Sequence, residues 1–439
     1  MQKKTIVKIS LMVALLFVFS ATSFAQTTVE YWTTQTEENR VEVINNLIDR
    51  FEAQQDEYKV ELVTVQENDI PTKLAAGMAA GRLPAMIESG AENILKLGAE
   101  GMLDTNAVNE VVQSIGEEDI YSGALKMLSS PDGGYFGVPF HGWVQGIWYR
   151  EDLFEEKGLE PPTTWESILA AAKEFHDPEN QNYGIVIGTN KDSYARQTFT
   201  QYALSNNARI FDENGNIVFN SPEMIETLEY YANLAEFTPP GPNGWRDARD
   251  LFLAGRVPMM MYSTYIMDDI GLAATDYAGE EGEMIENLVD KTNFANTMKH
   301  KTEAVFGQIN GLAFIKSNDQ KKVEGAKAFA EFLVTGDNYI DFLHMAPGGM
   351  NAVRPSIAND PKYLEHELLE VWGEKSARIA SGLNSIGKFG YVGGKVFPEI
   401  GNITSQFIVG QTIMRMTESG WTAEEAAEWG QEEMEDALE

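Results

Sequence analysis

The alternation of strand and helix patterns between residues 27 and 90 constrains the fold more than any other feature of the chain. The stretch "TTVEYWTT" predicts a strand, and Ile44, Leu47, Ile48 and Phe51 then recur at helical spacing. A second strand "YKVELVTV", a second helix "DIPTKLAAGMAAGRL" and a short apolar run "PAMIE" follow. Strand–helix–strand–helix–strand order predicts parallel pairing with helices on the faces of the sheet.

The pattern restarts after residue 139. The segment "PPTTWESILAAAKEF" predicts a helix with a capping box from Thr163 to Glu166, and "RDARDLFLAGRVPMMMYSTY" predicts a helix, a stop at Gly255 and a buried strand. We therefore expect two α/β lobes, each a mainly parallel sheet flanked by helices. The first lobe comprises residues 26–138 and 263–316, and the second comprises residues 139–262 and 317–439. Lobes joined by short segments leave a cleft between them, where ligands commonly bind.

The N-terminus has the layout of a secretory signal peptide, residues 1–25. Lys3, Lys4 and Lys8 precede the apolar stretch "ISLMVALLFVF", and Ala25 ends a run of small residues, so we expect cleavage after Ala25. The alternative, a retained membrane anchor, is disfavoured because the apolar stretch is short for a span. The chain has no cysteine, which excludes both disulfides and lipoprotein anchoring. We expect a periplasmic protein, with secretion to the medium as the alternative.

The net charge is strongly negative. Removing the three lysines of the signal peptide takes it from -34 to -37. This charge argues against nucleic acid or an anionic membrane as a partner. It fits either a solvated acidic surface, as in a saline habitat, or a cationic ligand. The acids are spread along the whole chain, which favours the acidic surface.

Signatures of enzymes and metal sites are weak. The five histidines form no HxxxH or HExxH pair, and there is no G-x-S-x-G motif. The stretch "GLNSIGKF" resembles a phosphate-binding loop, but Phe389 stands where such a loop needs Ser or Thr. We expect no metal and no cofactor. A periplasmic glycan-cleaving enzyme remains an alternative, because no pair of the many carboxylates is singled out.

Aromatic residues near strand ends are the strongest functional signal. Trp32, Trp143, Trp245 and Tyr265 adjoin loops rich in polar residues, and Trp143 belongs to the aromatic stretch "GVPFHGWVQGIWYRED". The apolar C–H faces of sugars pack on aromatic planes, whereas their hydroxyls need amides, carboxylates and guanidinium groups. The pattern favours a site for a neutral polyol, although each of these aromatics could instead fill a core.

Two runs, "YREDLFEEKGLEPPTTWESI" and "LFLAGRVPMMM", carry a family resemblance. With "YWTT", "GMLD" and "KAFAEFLVTGDN", they resemble the extracellular solute-binding proteins of family 1, the sugar receptors of ABC importers, from about residue 28 onward. Arg150 and Val257-Pro258 depart from the family's usual residues. The resemblance implies the two-lobed periplasmic-binding-protein fold of type II, a monomer that closes around its ligand, and membrane permease subunits as partners.

The resemblance also implies a ligand and a set of contacts. The ligand would be a sugar, an oligosaccharide or a glycosylated osmolyte, with a cationic compatible solute or polyamine as the alternative. Trp148 and Tyr149 are expected in the core, in a strand that follows the Trp143 region. The expected ligand contacts are Gln35, Thr36, Glu37, Glu92, Asn93, His141, Trp143, Arg196, Trp245, Tyr265 and Asn310.

Overall fold

A computed structural model describes residues 26–272, 287–373, 375, 376, 379 and 382–439. The predicted signal peptide, residues 1–25, lies outside the described residues, as does part of the 263–316 segment. The strands are β1 (Thr27–Thr33), β2 (Tyr58–Thr64), β3 (Met86–Gly90), β4 (Val138–Arg150), β5 (Met259–Ser263), β6 (Thr292–Ala295), β7 (Met298–Lys299), β8 (Glu303–Phe314), β9 (Asn351–Ala352), β10 (Ile386–Gly387), β11 (Tyr391–Val392) and β12 (Lys395–Val396).

Helices connect and cover these strands. Those of the first half are α1 (Glu38–Glu52), α2 (Ile70–Ala80), α3 (Ala91–Ala99), α4 (Thr105–Ile115), α5 (Ser122–Met127), α6 (Glu151–Lys157), α7 (Trp165–Phe175), α8 (Ser193–Ser205) and α9 (Pro222–Ala235). Those of the second half are α10 (Trp245–Leu253), α11 (Ile266–Leu272), α12 (Leu288–Lys291), α13 (Gln320–Leu333), α14 (Gly336–Leu343), α15 (Pro355–Ala358), α16 (Pro361–Leu364), α17 (Glu367–Trp372), α18 (Ile400–Ser405), α19 (Ile408–Ser419) and α20 (Ala423–Asp436).

One curled sheet runs through the molecule in the order β2-β1-β3-β8-β4-β5. As predicted, β1 pairs in parallel with β2 and β3. The second half differs from the prediction, because β4 pairs antiparallel with β5, β6 and β8. Antiparallel neighbours need no crossover helix between them, so helix–strand alternation along the chain does not by itself establish parallel pairing.

Strands β4 and β8 join the two lobes. The start of β4 pairs with the end of β8, which also pairs with β3, whereas the end of β4 pairs with β5 and β6. The register shifts between Pro139 and His141, near the predicted first crossing. Trp143 and Trp148 lie on this single strand and, five residues apart, on opposite faces. The expectation that Trp148 and Tyr149 belong to a separate strand is wrong, but both are buried as expected.

The first lobe is built on β1, β2 and β3. Phe51 of α1 and Tyr31 of β1 both pack edge-on against Phe329 of α13, with ring centroids 5.1 and 5.6 Å apart. Helix α13 therefore covers the same face of the sheet as α1, and it also packs against α4. Residues 317–439 were predicted for the second lobe, whereas the apolar face of α13 is buried on β1, and α18 packs against α3.

The second lobe surrounds the end of β4 with β5, β6 and the helices α8, α9, α10, α19 and α20. Helix α10 ends before Gly255, whose φ of +69° continues the chain into β5 as predicted. The capping box of α7 is formed by Thr164 and Ser167, one residue later than predicted. Among the described residues, no helix is long and apolar enough to cross a membrane.

Candidate functional site

A cavity of about 520 Å³ opens where β1 and β2 end. Residues 34–37 follow β1, and Gln66 and Glu67 follow β2. The carboxyl ends of parallel strands meet at one edge of a sheet, so these two loops lie side by side. The volume is within the range of about 300–1,000 Å³ that is typical of small-molecule sites. The first lobe thus supplies one wall, composed mainly of polar side chains.

The second wall comes from five other segments. Strand β4 contributes Trp143 and Gln145, and the start of α8 contributes Ser193, Tyr194 and Gln197. The remaining lining residues of this wall, from the turn before α8, from α10 and from β5 to α11, are Asp192, Trp245, Arg249, Tyr262, Ser263, Tyr265, Asp268 and Asp269. The cavity therefore lies between the elements of the two lobes.

The aromatic side chains differ in how much they are exposed. Trp245, the first residue of α10, is 44% exposed, whereas Trp143 is only 7% exposed and packs edge-on against Phe306. The Arg40 guanidinium lies 5.5 Å from the ring centroid of Tyr265. The Arg246 guanidinium lies 4.9 Å from the ring centroid of Trp245, so Trp245 has at most one ring face open to a ligand, while Trp143 contributes both to the cavity wall and to packing.

Carboxylates outnumber guanidinium groups around the cavity. The lining acids are Glu37, Glu67, Asp192, Asp268 and Asp269, and the lining bases are Arg40 and Arg249. Both bases are engaged. Arg249 donates to Asp269 through two nitrogens at 2.7 and 2.6 Å, and Arg40 donates to the Gln35 amide oxygen at 3.1 Å and lies 3.3 Å from Glu37.

The ionisation of Asp268 is shifted by its surroundings. Burial raises the pKa of this carboxyl to about 6, and the negative charge of neighbouring Asp269 adds to the effect. The Asp268 side chain also accepts a hydrogen bond from the Asp269 backbone N–H at 2.8 Å. Asp268 therefore changes its charge within the ordinary range of pH, at the edge of the cavity.

Glu88 of β3 fixes Gln35 from behind. Its carboxylate accepts from Gln35 Nε2 at 3.0 Å and from the Thr33 hydroxyl, and it lies 3.0 Å from His141 Nε2. Burial alone would raise the pKa of Glu88, but these hydrogen bonds, that of His141 foremost, lower it. The side chain of Gln35 is therefore held in place before any ligand arrives.

His141 does not face the cleft as predicted. Its side chain is fully buried, and its ring packs near Phe140 and Phe342. Trp143, two residues later on the same strand, lines the cavity, so strand alternation alone would have placed both side chains there. The carboxylate of Glu88, 3.0 Å from His141 Nε2, instead holds the imidazole inside the protein.

Glu92, Asn93 and Arg196 lie together, but beside the cavity. They line a second pocket of about 40 Å³, far smaller than a typical ligand site. Arg196 Nη1 donates to Glu92 Oε1 at 2.9 Å, and Gln308 Nε2 donates to Glu92 Oε2 at 2.6 Å. Both carboxylate oxygens of Glu92 are thus already occupied by protein donors, which differs from the ligand contact that we expected.

The other expected contacts are gathered around the main cavity. Trp32, by contrast, is buried away from it, with the ammonium of Lys73 4.7 Å from its ring centroid. The expected residues that line the cavity are Gln35, Thr36, Glu37, Trp143, Trp245, Tyr265 and Asn310.

Several lining residues were not predicted from the sequence. Arg40 and Asp268 lie in the first turns of α1 and α11, four and three residues after the expected contacts Thr36 and Tyr265. Gln145 had no such signal. Its Oε1 is buried at the cavity wall and has no hydrogen-bond partner among the described residues. Buried acceptors are nearly always paired, so this oxygen marks a place for a donor.

No group of three or more His, Asp or Glu side chains in the described part of the chain is arranged to hold a metal ion. A groove on the outer face of the second lobe, between α9 and the α19–α20 turn, encloses about 670 Å³. It lies on helix surfaces away from the strand ends. The cavity between the lobes, with its converging polar and aromatic groups, is the better candidate site.

Comparison with known proteins gives a consistent result. The model of the bacterial extracellular solute-binding proteins matches residues 36–338. The putative ABC transporter periplasmic-binding protein YcjN of Escherichia coli K12 is 32% identical over 391 residues, which cover 89% of this chain and 87% of YcjN.

Two solved structures share the fold. Maltose-bound MalE3 of T. maritima has a TM-score of 0.74 at 19% identity, covering 94% of this chain and all of that one. A solute-binding protein of an ABC transporter from Agrobacterium radiobacter K84, in complex with ribitol, has a TM-score of 0.73 at 22% identity, covering 93% and 98%. Because the family model matches residues 36–338 and YcjN is similar to the chain over most of its length, the chain belongs to the bacterial extracellular solute-binding protein family.

Proposed function

We propose that this protein is the substrate receptor of an ABC importer and binds a neutral sugar or polyol in the cavity between its lobes. The observation that carries the proposal is the lining itself. Aromatic rings, six amide side chains and the hydroxyls of four serines and threonines surround a space of ligand size, and the amides are Gln35, Asn39, Gln66, Gln145, Gln197 and Asn310. Closure of the lobes would remove the ligand from water on both sides.

The polar groups suit hydroxyls that both donate and accept. The unpaired Gln145 Oε1 would accept from a ligand hydroxyl, while the Gln145 Nε2 donates to the Gln197 carbonyl oxygen at 2.8 Å. Gln35 lines the opposite wall, where Glu88 and Arg40 bond to its amide and fix its position. Maltose and ribitol, the ligands bound in the two similar structures, are of this chemical kind.

The remaining features of the proposal concern the setting of the receptor. We propose that it is exported to the periplasm after cleavage at Ala25, works as a monomer without a lipid anchor, and delivers its ligand to membrane permease subunits. It would release the ligand unchanged, as a receptor does and a glycan-cleaving enzyme does not. Incubation with each ligand that binds, followed by chromatography of the sugar, tests for turnover.

A thermal-shift screen tests ligand binding. A ligand that binds the native state raises the melting temperature, so neutral mono- and oligosaccharides, polyols, glycosylated osmolytes and quaternary amines are compared at equal concentration. We expect a neutral sugar or polyol to give the largest shift, and Trp245→Ala to reduce it. The absence of any shift from the neutral compounds, or an equal shift in Trp245→Ala, would contradict the proposal.

The charge of the cavity favours a second candidate, a ligand that carries a cationic group. The five lining carboxylates face two guanidinium groups that are already paired. Glucitol, glucamine and gluconate share one polyol chain and differ only in a terminal hydroxyl, ammonium or carboxylate. Tightest binding of glucamine would favour the cationic ligand, and tightest binding of glucitol the neutral one. Gluconate is expected to bind least tightly in either case.

A further inference from the structure

A buried ionic cluster lies beside the ligand cavity and consists of Glu92, Arg196, Lys388 and Gln308. Arg196 Nη1 and Lys388 Nζ lie 2.9 and 2.6 Å from Glu92 Oε1. The Gln308 amide donates to the other oxygen of Glu92, and its own carbonyl oxygen accepts from Lys388. The side chains of Glu92, Arg196 and Lys388 are 9%, 10% and 2% exposed.

The members of this cluster come from different parts of the fold. Glu92 is in the first turn of α3, which follows β3 of the first lobe. Arg196 is in α8, which packs against the joining strand β8 and against α9 and α19 of the second lobe. Gln308 is on β8, one of the strands that join the lobes, and Lys388 directly follows β10, which pairs with β8. The Glu92–Arg196 pair therefore connects the two lobes.

The chain crosses between the lobes next to this pair. Helix α18 packs against α3, and α19 packs against α8, α9 and α20. Between them, Phe407 has a φ of +55°, a left-handed conformation that is uncommon for a residue with a side chain. Phe407 also lines the small pocket with Glu92 and Arg196. A change in the angle between the lobes at this point would alter the distance between the two charges.

The charges of this cluster have little contact with solvent. The adjoining pocket of about 40 Å³ has room for very few water molecules. In such a site the attraction between Glu92 and Arg196 is stronger than at a solvated surface, and parting the lobes exchanges that attraction for hydration of the two charges. An arrangement of the lobes that keeps Glu92 and Arg196 in contact is therefore favoured over one that parts them.

We propose that Glu92, Arg196 and Lys388 form an ionic clasp that favours the closed arrangement of the lobes before a ligand binds. The three side chains act as positioning residues, because none of them is needed to touch the ligand. A receptor whose closed form is already populated binds more tightly, since the apparent dissociation constant varies inversely with the competent fraction. The clasp goes beyond the proposed function, because the closed fraction can be measured without any ligand.

The absence of cysteine from the chain permits a direct test. Cysteines introduced at the exposed positions Asp56, between α1 and β2, and Glu156, on α6, allow a donor and an acceptor dye to be attached to opposite lobes. Single-molecule energy transfer without ligand then reports the closed fraction. We expect Arg196→Gln to reduce that fraction about fivefold or more, the lower end of typical coupling between sites.

A matched control separates closure from stability. Arg354 is also a largely buried arginine, paired with Asp119 at 2.9 Å, but it bonds to carbonyl oxygens of Ile115 and Val334 within the first lobe. Arg354→Gln should lower the melting temperature and leave the closed fraction unchanged. Arg196→Lys, which keeps the charge, should restore part of the closed fraction lost in Arg196→Gln.

The closed fractions are compared only between variants that fold. Should Arg196→Gln fail to fold, Glu92→Gln is measured in its place, because it removes the charge and keeps the shape of the side chain. A closed fraction equal to that of the wild type in the folded variant would overturn the clasp. An equal loss of the closed fraction in Arg354→Gln would overturn it as well. Neither result would affect the ligand assignment, which the thermal-shift screen tests separately.

Discussion

The ligand cavity and the ionic clasp use the same kinds of side chain and lie next to each other, yet they differ in access to water. Glu67 and Ser193 line both the cavity and the small pocket beside the clasp. In the cavity, the paired side chains of Arg249 and Asp269 are 21% and 20% exposed within a space of about 520 Å³. In the clasp, the corresponding pair is about half as exposed, beside a space of about 40 Å³.

This difference in access to water indicates that the cavity binds a ligand and that the clasp positions the lobes. Charges in a solvated cavity can exchange water for ligand hydroxyls at little cost, because their partners are replaceable. Charges that are shielded from water stabilise one another, because the loss of one leaves the others unpaired in a medium of low dielectric constant. The cavity should therefore tolerate substitution with a change in affinity, and the clasp should not.

The largest expected effect is on stability, at the clasp. Glu92→Leu leaves Arg196 buried without its carboxylate and removes the charge that opposes the lowering of the Lys388 pKa by burial, and we expect the free energy of unfolding to fall by about 3–5 kcal/mol. Asp269→Asn, in the more exposed pair of the cavity, should cost about 1 kcal/mol or less. Urea unfolding curves of both variants measure this. Equal losses would show that the two regions do not differ as described.

The aromatic side chains should give the next largest effect. Trp245→Ala is expected to weaken binding of the screened ligand by about 1–3 kcal/mol, a range taken from stacking on nucleobases, with little change in melting temperature. Trp148→Ala should do the reverse and lower stability by about 3–5 kcal/mol, because its fully buried ring stacks on Phe294 at 4.3 Å.

Trp143→Ala and Tyr265→Ala complete this series, which calorimetry and unfolding curves measure together. We expect both to weaken binding, and Trp143→Ala also to lower stability, because Trp143 packs on Phe306. If Trp148→Ala abolished binding while Trp245→Ala did not alter it, the placement of the ligand between these walls would be contradicted.

A smaller effect, of about 1 kcal/mol in affinity, is expected from Asp268. A charged carboxylate accepts a stronger hydrogen bond from a ligand hydroxyl than a neutral one does, so affinity should rise as pH increases through about 6. Asp268→Asn should abolish this rise. Calorimetry between pH 5 and pH 7.5, at roughly constant ionic strength, tests it, and a wild-type profile without an inflection near pH 6 would contradict it.

The same group also affects stability, with the opposite sign. The pKa of Asp268 is raised on folding from its usual value of 3.8 to about 6. Between these two values the folded state binds more protons than the unfolded state, so the contribution of Asp268 to stability is lost as pH rises through about 6. Asp268→Asn should remove this contribution, which the difference between the two unfolding profiles measures.

The smallest effect concerns salt. The Debye length falls from about 30 Å at 0.01 M to about 3 Å at 1 M, so sodium chloride screens repulsion among exposed acids and should raise the melting temperature of this acidic protein. The destabilisation caused by Glu92→Leu should change little, because buried charges are screened much less. A melting temperature independent of salt would indicate that the exposed charges are already compensated locally.

The local patterns of the sequence determined the elements and much of the first wall of the cavity. Parallel pairing of β1 with β2 and β3 follows from their alternation with helices, and this pairing brings Gln35, Thr36 and Glu37 to the edge where the strands end. Trp245 and Tyr265 were identified because both adjoin strand or helix ends. These features depend on residues close together in the chain.

Only the tertiary structure decided which charged side chains line the cavity and which form ion pairs with each other. Glu92 follows the end of β3 and Thr34 follows the end of β1, so both lie at the same edge of the sheet and position after a strand does not separate their roles. Glu92 belongs to the clasp because Arg196 and Lys388, more than a hundred residues away, fill the space around it. His141 is buried for the same reason, since Glu88 from another strand pairs with it. Whether a charged side chain contacts water depends on the neighbours that pack around it. Those neighbours are distant in the chain, so the periodicity of the sequence does not predict them.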